Sequence, residues 1–149
     1  DAIALTYHYL GAGENHKAGL TARVAAAKAE ATLAFDQAVK LYDISLHYAD
    51  LDGPKALQLQ IKRAKALVSG LRAAEAGEAY LKAAISTPAD APLLRGLLKT
   101  KGAEQLLISG HLEWGIEVLG DAFKDHGLDY QALSTADGGA LFVELLETR

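Results

Sequence analysis

Cysteine and methionine are both missing from the 149 residues. Without cysteine the chain can form neither disulfides nor thiolate zinc sites. That absence leaves the compartment open, since periplasmic proteins can lack cysteine too. Only three prolines occur, β-branched residues are sparse, and the hydrophobic half of the chain is mostly Ala and Leu. Ala and Leu favour helix, and the shortage of β-branched side chains weighs against strands. An all-α fold is therefore expected. No run of about 18 apolar residues is present to span a bilayer, and no basic-then-apolar leader. A positive excess is lacking as well: the formal charge is -4 and the pI is about 5.7. Nothing draws the chain generally to nucleic acid, and its densest basic stretch, IKRAK at 61–65, reads as a solvated helix face. The expected setting is the cytoplasm, with no membrane and no nucleic-acid partner. With Asp1 first and no initiator methionine, the chain is expected to be a processed protein or a piece of a longer one. Its length suits one domain with a real core, or a short array of repeats.

What is present is helical periodicity broken by tight punctuation. Helices are predicted near 1–11, 15–33, 35–49, 54–69, 72–86, 91–109, 112–126 and 138–147, within one domain over 1–149. In the first, Leu5, Tyr9 and Ala12 share a face, and Gly11 and Gly13 end it. The second buries only small residues, Ala18, Ala22, Ala25 or Ala26, and Ala29, which permits approach at the short end of the usual 8–10 Å interaxial spacing. In DLDGP, Gly53 stops one helix and Pro54 suits the first turn of the next. Ser69-Gly70 and Ser109-Gly110 read as two equal stops, Asp90 as an N-cap, and Gly127 as the cap of the seventh helix. The last helix carries Leu141, Phe142, Leu145 and Leu146, with Thr135 or Asp137 as its cap. The turns are too short for crossovers, so consecutive helices should be neighbours.

A repeat lies within this pattern. Ala38, Tyr42 and Ser45 recur as Ala76, Tyr80 and Ala83, and again as Gly115, Leu119 and Ala122. Ala38 to Ala76 is 38 residues and Ala76 to Gly115 is 39. Ala64 and Leu67 stand ahead of the second set, and Ala103 and Leu106 ahead of the third; Ala18, Ala22 and Ala25 form a weaker set near the start. A fixed period of this length is a solenoid signature. On these residues the chain, over about 1–126, resembles the tetratricopeptide repeat family, in which a small and a large residue in one helix precede a small-large-small set in the next. The resemblance implies antiparallel hairpins stacked as a short right-handed solenoid that binds a partner on its concave face. The unit is a few residues longer than the family's, and the boundary prolines are met only loosely, by Pro54 and Pro88. AEQLLISGHLEWGIEVLGDAF and EATLAFDQAVKLYDISL further resemble repeat regions of large bacterial multidomain kinase and ATPase regulators. That likeness implies a sensor or scaffold region and carries over no catalytic residue.

Catalytic and metal-binding patterns were sought and not found. No two of the five histidines stand three or four apart, and HEXXH, GXSXG and the P-loop are absent. No enzyme activity, cofactor or metal is expected. Recognition remains: Gln58, Lys62, Lys65, Arg95, Lys99, Lys101 and Gln105 fall on the first helix of successive pairs and would line a basic concave groove suited to an acidic peptide or C-terminal carboxylate. Solvated lysines are the plainer account of the same residues. Two other functions compete, a structural spacer between domains and a helical small-molecule-binding domain near Trp114 and Phe123. In GHLEWGIEVLGDAF, Gly115 is expected where two helices cross closely and Trp114 partly buried near Leu107. The partner and the oligomeric state are left open.

Overall fold

The computed structural model describes residues 1–128. Over that span the chain is all-helical: α1 (Ala2–Gly11), α2 (Asn15–Ala31), α3 (Phe35–Tyr48), α4 (Gly53–Ser69), α5 (Ala73–Ile85), α6 (Pro92–Ile108) and α7 (Leu112–Asp125). No strand occurs among the described residues, and no described helix is long and apolar enough to cross a membrane. The helix expected over 138–147 and its caps lie outside the described residues.

Each helix packs chiefly on the one before it and the one after it in the chain. The core they share is built from small residues with a few large ones between them. Ala22, Ala25, Ala26 and Ala29 of α2 meet Ala38, Leu41 and Tyr42 of α3, and the cluster continues through Ala64 and Leu67 of α4 to Ala76, Tyr80 and Ala83 of α5. Tyr42 is buried with its hydroxyl donating to Glu30 Oε2 at 2.7 Å, so the ring can sit in the seam without an unsatisfied polar tip. Burial, reinforced by the adjacent carboxylate, pushes the Tyr42 hydroxyl well above its ordinary pKa.

The starts of α2, α4 and α6 are Asn15, Gly53 and Pro92; those of α3, α5 and α7 are Phe35, Ala73 and Leu112. Both series step by 38 and then 39 residues. Ala38, Ala76 and Gly115 are all buried, as are Ala64 with Ala103 and Leu67 with Leu106. The set read at Ala18, Ala22 and Ala25 is buried too, but it belongs to a helix of the first series; by spacing, Ala26 and Ala29 are the counterparts of Ala64 and Leu67. In α1 the expected face is wrong. Leu5 and Ala12 are exposed and Thr6 is buried, its hydroxyl donating to the Ala2 carbonyl at 2.8 Å.

The connections are of two kinds. Between α2 and α3, α4 and α5, and α6 and α7, the helix ends in the same pair of backbone bonds. Ala34 N donates to Ala29 O, Arg72 N to Leu67 O and His111 N to Leu106 O, each at 2.9 Å, while Leu33, Leu71 and Gly110 close the inner bond with positive φ. This is the Schellman cap, whose left-handed residue is usually glycine. The turn from α1 to α2 has the same form, with Gly13 in the left-handed position. The α3–α4 and α5–α6 connections are longer. In the first, Gly53 is the opening residue of α4 and does not stop α3; Asp50 holds the positive φ, and Asp52 caps α4 by accepting from Lys55 N at 2.9 Å. In the second, Ala91 and not Asp90 precedes α6, with no side-chain cap, and Pro92 opens the helix.

Glycines set how closely some seams approach. A Cβ on Gly115 would lie 2.7 Å from Leu107 Cγ and 3.3 Å from the Ala103 carbonyl. A Cβ on Gly77 would lie 2.9 Å from Leu106 Cγ and 3.1 Å from the Gly102 carbonyl, and one on Gly102 would meet Leu81 at 2.9 Å. A tryptophan-flanked glycine inside a helix is tolerated here because a neighbouring leucine occupies the space. Trp114 itself is 40 % exposed, and its ring meets His111 edge-on at 6.4 Å.

Candidate partner-binding groove

The residues proposed as a single basic groove divide into two groups. Gln58 and Lys62, one turn apart on α4, line a shallow cavity of about 530 Å³ whose other wall is α2, through Arg23, Val24, Ala27, Lys28 and Ala31. Lys65 is exposed three residues on from Lys62. The lining thus holds three cations, one amide and three aliphatic side chains, and no carboxylate. Like charge with no lining acid, beside an exposed apolar strip of Val24, Ala27 and Ala31, is a setting that attracts an anion carrying some apolar surface.

Arg95 and Lys99 do not belong to that surface. Arg95 Nε donates to Asp125 Oδ1 at 3.1 Å, and Lys99 Nζ lies 2.5 Å from Asp121 Oδ2 and 2.7 Å from Asp125 Oδ2. These side chains reach across to α7 and fasten it to α6. Burial works against the Lys99 charge, yet the hydrogen bonds and charges of Asp121 and Asp125 outweigh it and raise its pKa. The hydrogen bond from Lys99, opposed by burial and aided by Arg95, holds the Asp125 carboxyl below its ordinary range. Lys101 and Gln105 are half-buried on α6 and do not line the groove.

Sequence reasoning missed the α2 wall. Arg23 and Lys28 flank Val24, Ala27 and Ala31 on one helix, a signal available from periodicity once α2 is placed beside α4. The small residues of α2 signal close packing on one face, while its outer face carries this second, charged pattern.

A second cleft, of about 760 Å³, opens between α3, α4 and α5 and carries both signs of charge. Asp43, Glu75 and Glu78 face Arg63, Lys82 and His47, with Gln60 among them. Most of that charge is already committed: Arg63 Nε donates to Asp43 at 2.5 Å, and Arg72 bonds both Glu75 and Asp36. In the α6–α7 turn, Ser109 Oγ lies 3.0 Å from His111 Nδ1, but the hydroxyl is within 2.9 Å of the Leu106 carbonyl, which can only accept. A serine whose hydrogen is held by a backbone carbonyl is not set up to lose it to an imidazole. No group of three or more potential metal ligands converges among the described residues.

Comparison with protein-family models, with curated proteins and with solved structures returns no match. The likeness to tetratricopeptide repeats and to bacterial regulators therefore rests on the residues quoted above.

Proposed function

We propose that this chain is a non-catalytic interaction module, a short tetratricopeptide-like stack of antiparallel hairpins that binds an acidic partner segment on the face of its first helices. The observation that carries the reading is the α2–α4 groove, with Arg23, Lys28 and Lys62 and no lining acid in a chain of net charge -4. The stacking part is supported by the common 38- and 39-residue steps of both helix series. Cross-seam contacts that run in opposite chain directions support it further: Gly77 to Leu106 and Leu81 to Gly102, or Lys99 to Asp121 and Arg95 to Asp125.

The test is fluorescence anisotropy with a labelled acidic peptide at several salt concentrations. Affinity is expected to fall with salt and to be lost in a Lys28→Glu/Lys62→Glu variant. Equal binding by the two proteins refutes the groove as the site. A second reading, a spacer inside a longer helical array, is favoured by the exposed Leu112 and Ile116, one turn apart on α7, as a surface for a further element.

A further inference from the structure

Resting on that proposed function, we infer that the segment the α2–α4 groove accepts is a short amphipathic helix with bulky apolar residues on its inner face and carboxylates along both flanks. Side chains on α2 follow a definite angular order. With about 100° of rotation per residue, Ala27 lies about 60° to one side of Val24, Ala31 about 20° to the same side, Arg23 about 100° to that side, and Lys28 about 40° to the other. The apolar strip of Val24, Ala27 and Ala31 is thus bounded by a cation on each side, and all five residues line the groove. On α4, Gln58 and Lys62 make the facing wall. Val24 to Ala31 spans seven residues, roughly 10 Å of helix axis, or two turns of an occupant lying alongside.

The cations sit beside the apolar strip and not above it. An extended peptide alternates its side chains between opposite directions, so apolar residues pressed on the strip would send the intervening carboxylates away from Arg23, Lys28 and Lys62. A helix places its polar positions on either side of its apolar stripe, within reach of both rims. Ala27 and Ala31 leave room that a large side chain of the partner can fill, and Gln58 offers an amide to the boundary between the two environments. Oligonucleotides supply the negative charge but no aliphatic strip to match Val24, Ala27 and Ala31, and the chain's own charge of -4 opposes them.

The test uses the full chain and three fluorescein-labelled probes of equal net charge. One is a peptide of Leu, Glu and Ala with Leu at helical spacing, one is the same composition with Leu and Glu alternating, and one is a single-stranded oligonucleotide. Anisotropy titrations are run on wild type, Val24→Glu and Lys62→Glu. The helical-pattern peptide is expected to bind about ten-fold or more tightly than the alternating one, and each exposed-site substitution to weaken it about ten-fold or more. Circular dichroism of the variants confirms that each remains folded. Equal binding of the two peptides, with loss in Lys62→Glu, overturns the helical occupant while keeping the acidic-segment function. Binding of neither peptide overturns both readings. Oligonucleotide binding as tight as the peptide's, or peptide binding unchanged in Val24→Glu, overturns the amphipathic match.

Discussion

The seam between α4 and α5 and the seam between α6 and α7 are built from helices that start 39 residues apart, and they differ in chemistry. Stepping back 39 residues turns Arg95 and Lys99 into Ala56 and Gln60, and Asp121 and Asp125 into Lys82 and Ser86. In the later seam these four positions form a linked set of ion pairs. In the earlier one the Gln60 carbonyl oxygen is buried without a partner and borders the α3–α4–α5 cleft. One further step back, at the α2–α3 seam, the positions are Ala18, Ala22, Ile44 and Tyr48, apolar or aromatic throughout. Positions equivalent by this spacing carry hydrocarbon, an unfilled amide or a salt bridge. The small residues Ala38, Ala76 and Gly115 stay buried throughout, and the polar chemistry at the rim varies.

The largest effect should come where two backbones leave no room to yield. A Cβ on Gly19 would sit 2.5 Å from Ala49 N and 2.6 Å from the Tyr48 carbonyl carbon. Both atoms are backbone, so relief requires α2 and α3 to separate. Gly19→Ala is expected to destabilise by about 3 kcal/mol, the upper end of overpacking effects. The counterpart change, Gly96→Ala, meets only the His126 ring, at 2.8 Å, and should be much milder because that side chain can swing away. Urea denaturation of both proteins checks the difference. Near-equal losses would break the claim that backbone proximity governs these seams.

Next in size is the ion-paired seam itself. Asp125→Leu leaves Lys99 and Arg95 half-buried with only Asp121 nearby, and a loss of about 2 kcal/mol is expected, within the range for an abandoned charged partner. The pH dependence follows from the lowered folded pKa of Asp125. A carboxyl depressed on folding contributes stability that is present above its unfolded pKa of about 3.9 and is lost as pH falls through the lower folded value. Acid should therefore weaken the α6–α7 seam. Trp114 is the sole tryptophan and lies on α7, so its fluorescence reports this seam. The Trp114 signal is expected to change as pH falls below about 3.9, and Asp125→Leu should abolish that pH dependence.

Much of this fold could be read from the chain. Ala and Leu content with few β-branched residues gave the helical class, and the recurrence at Ala38, Ala76 and Gly115 marks three buried positions in common register. What stayed hidden depended on which helix faces which. Arg95 and Lys99 look as free as Gln58 and Lys62 until Asp121 and Asp125 are brought opposite them, and no local spacing reports that, since the partners are 22 to 30 residues away. Arg23 and Lys28 gain a role only once α2 borders α4. The stops at Ser69-Gly70 and Ser109-Gly110 look equal but differ by one position, because Gly110 takes the left-handed conformation and Gly70 stands one residue before it.

A milder change would carry the later seam's chemistry into the earlier one. Gln60→Lys with Ser86→Asp recreates the Lys99–Asp125 pair between α4 and α5. A stabilisation of about 0.5–1 kcal/mol is expected, the range for a partly exposed pair, with neither single substitution giving it alone. A double-mutant cycle measured by thermal denaturation reads the coupling. Zero coupling would mean that the two seams are not superposable at this position, whatever their shared register.

The smallest effect concerns the one-residue offset between the two stops. Leu71 occupies the left-handed position with φ 59° and is 93 % exposed, so it has a conformational penalty and almost no burial to offset it. Gly110 fills the equivalent position at φ 88°. A non-glycine residue in this region costs roughly 1–2 kcal/mol, while glycine loses about 0.5–1 kcal/mol more backbone entropy on folding. Leu71→Gly is therefore expected to stabilise the chain by about 0.5 kcal/mol, and Leu33→Gly, at φ 60°, by a similar amount. Gly110→Leu should reverse the sign. Thermal midpoints of the three variants decide the matter: destabilisation by Leu71→Gly would show that the exposed leucine is supported by contacts in the folded chain, and the turn could then no longer be treated as a backbone element indifferent to its side chain.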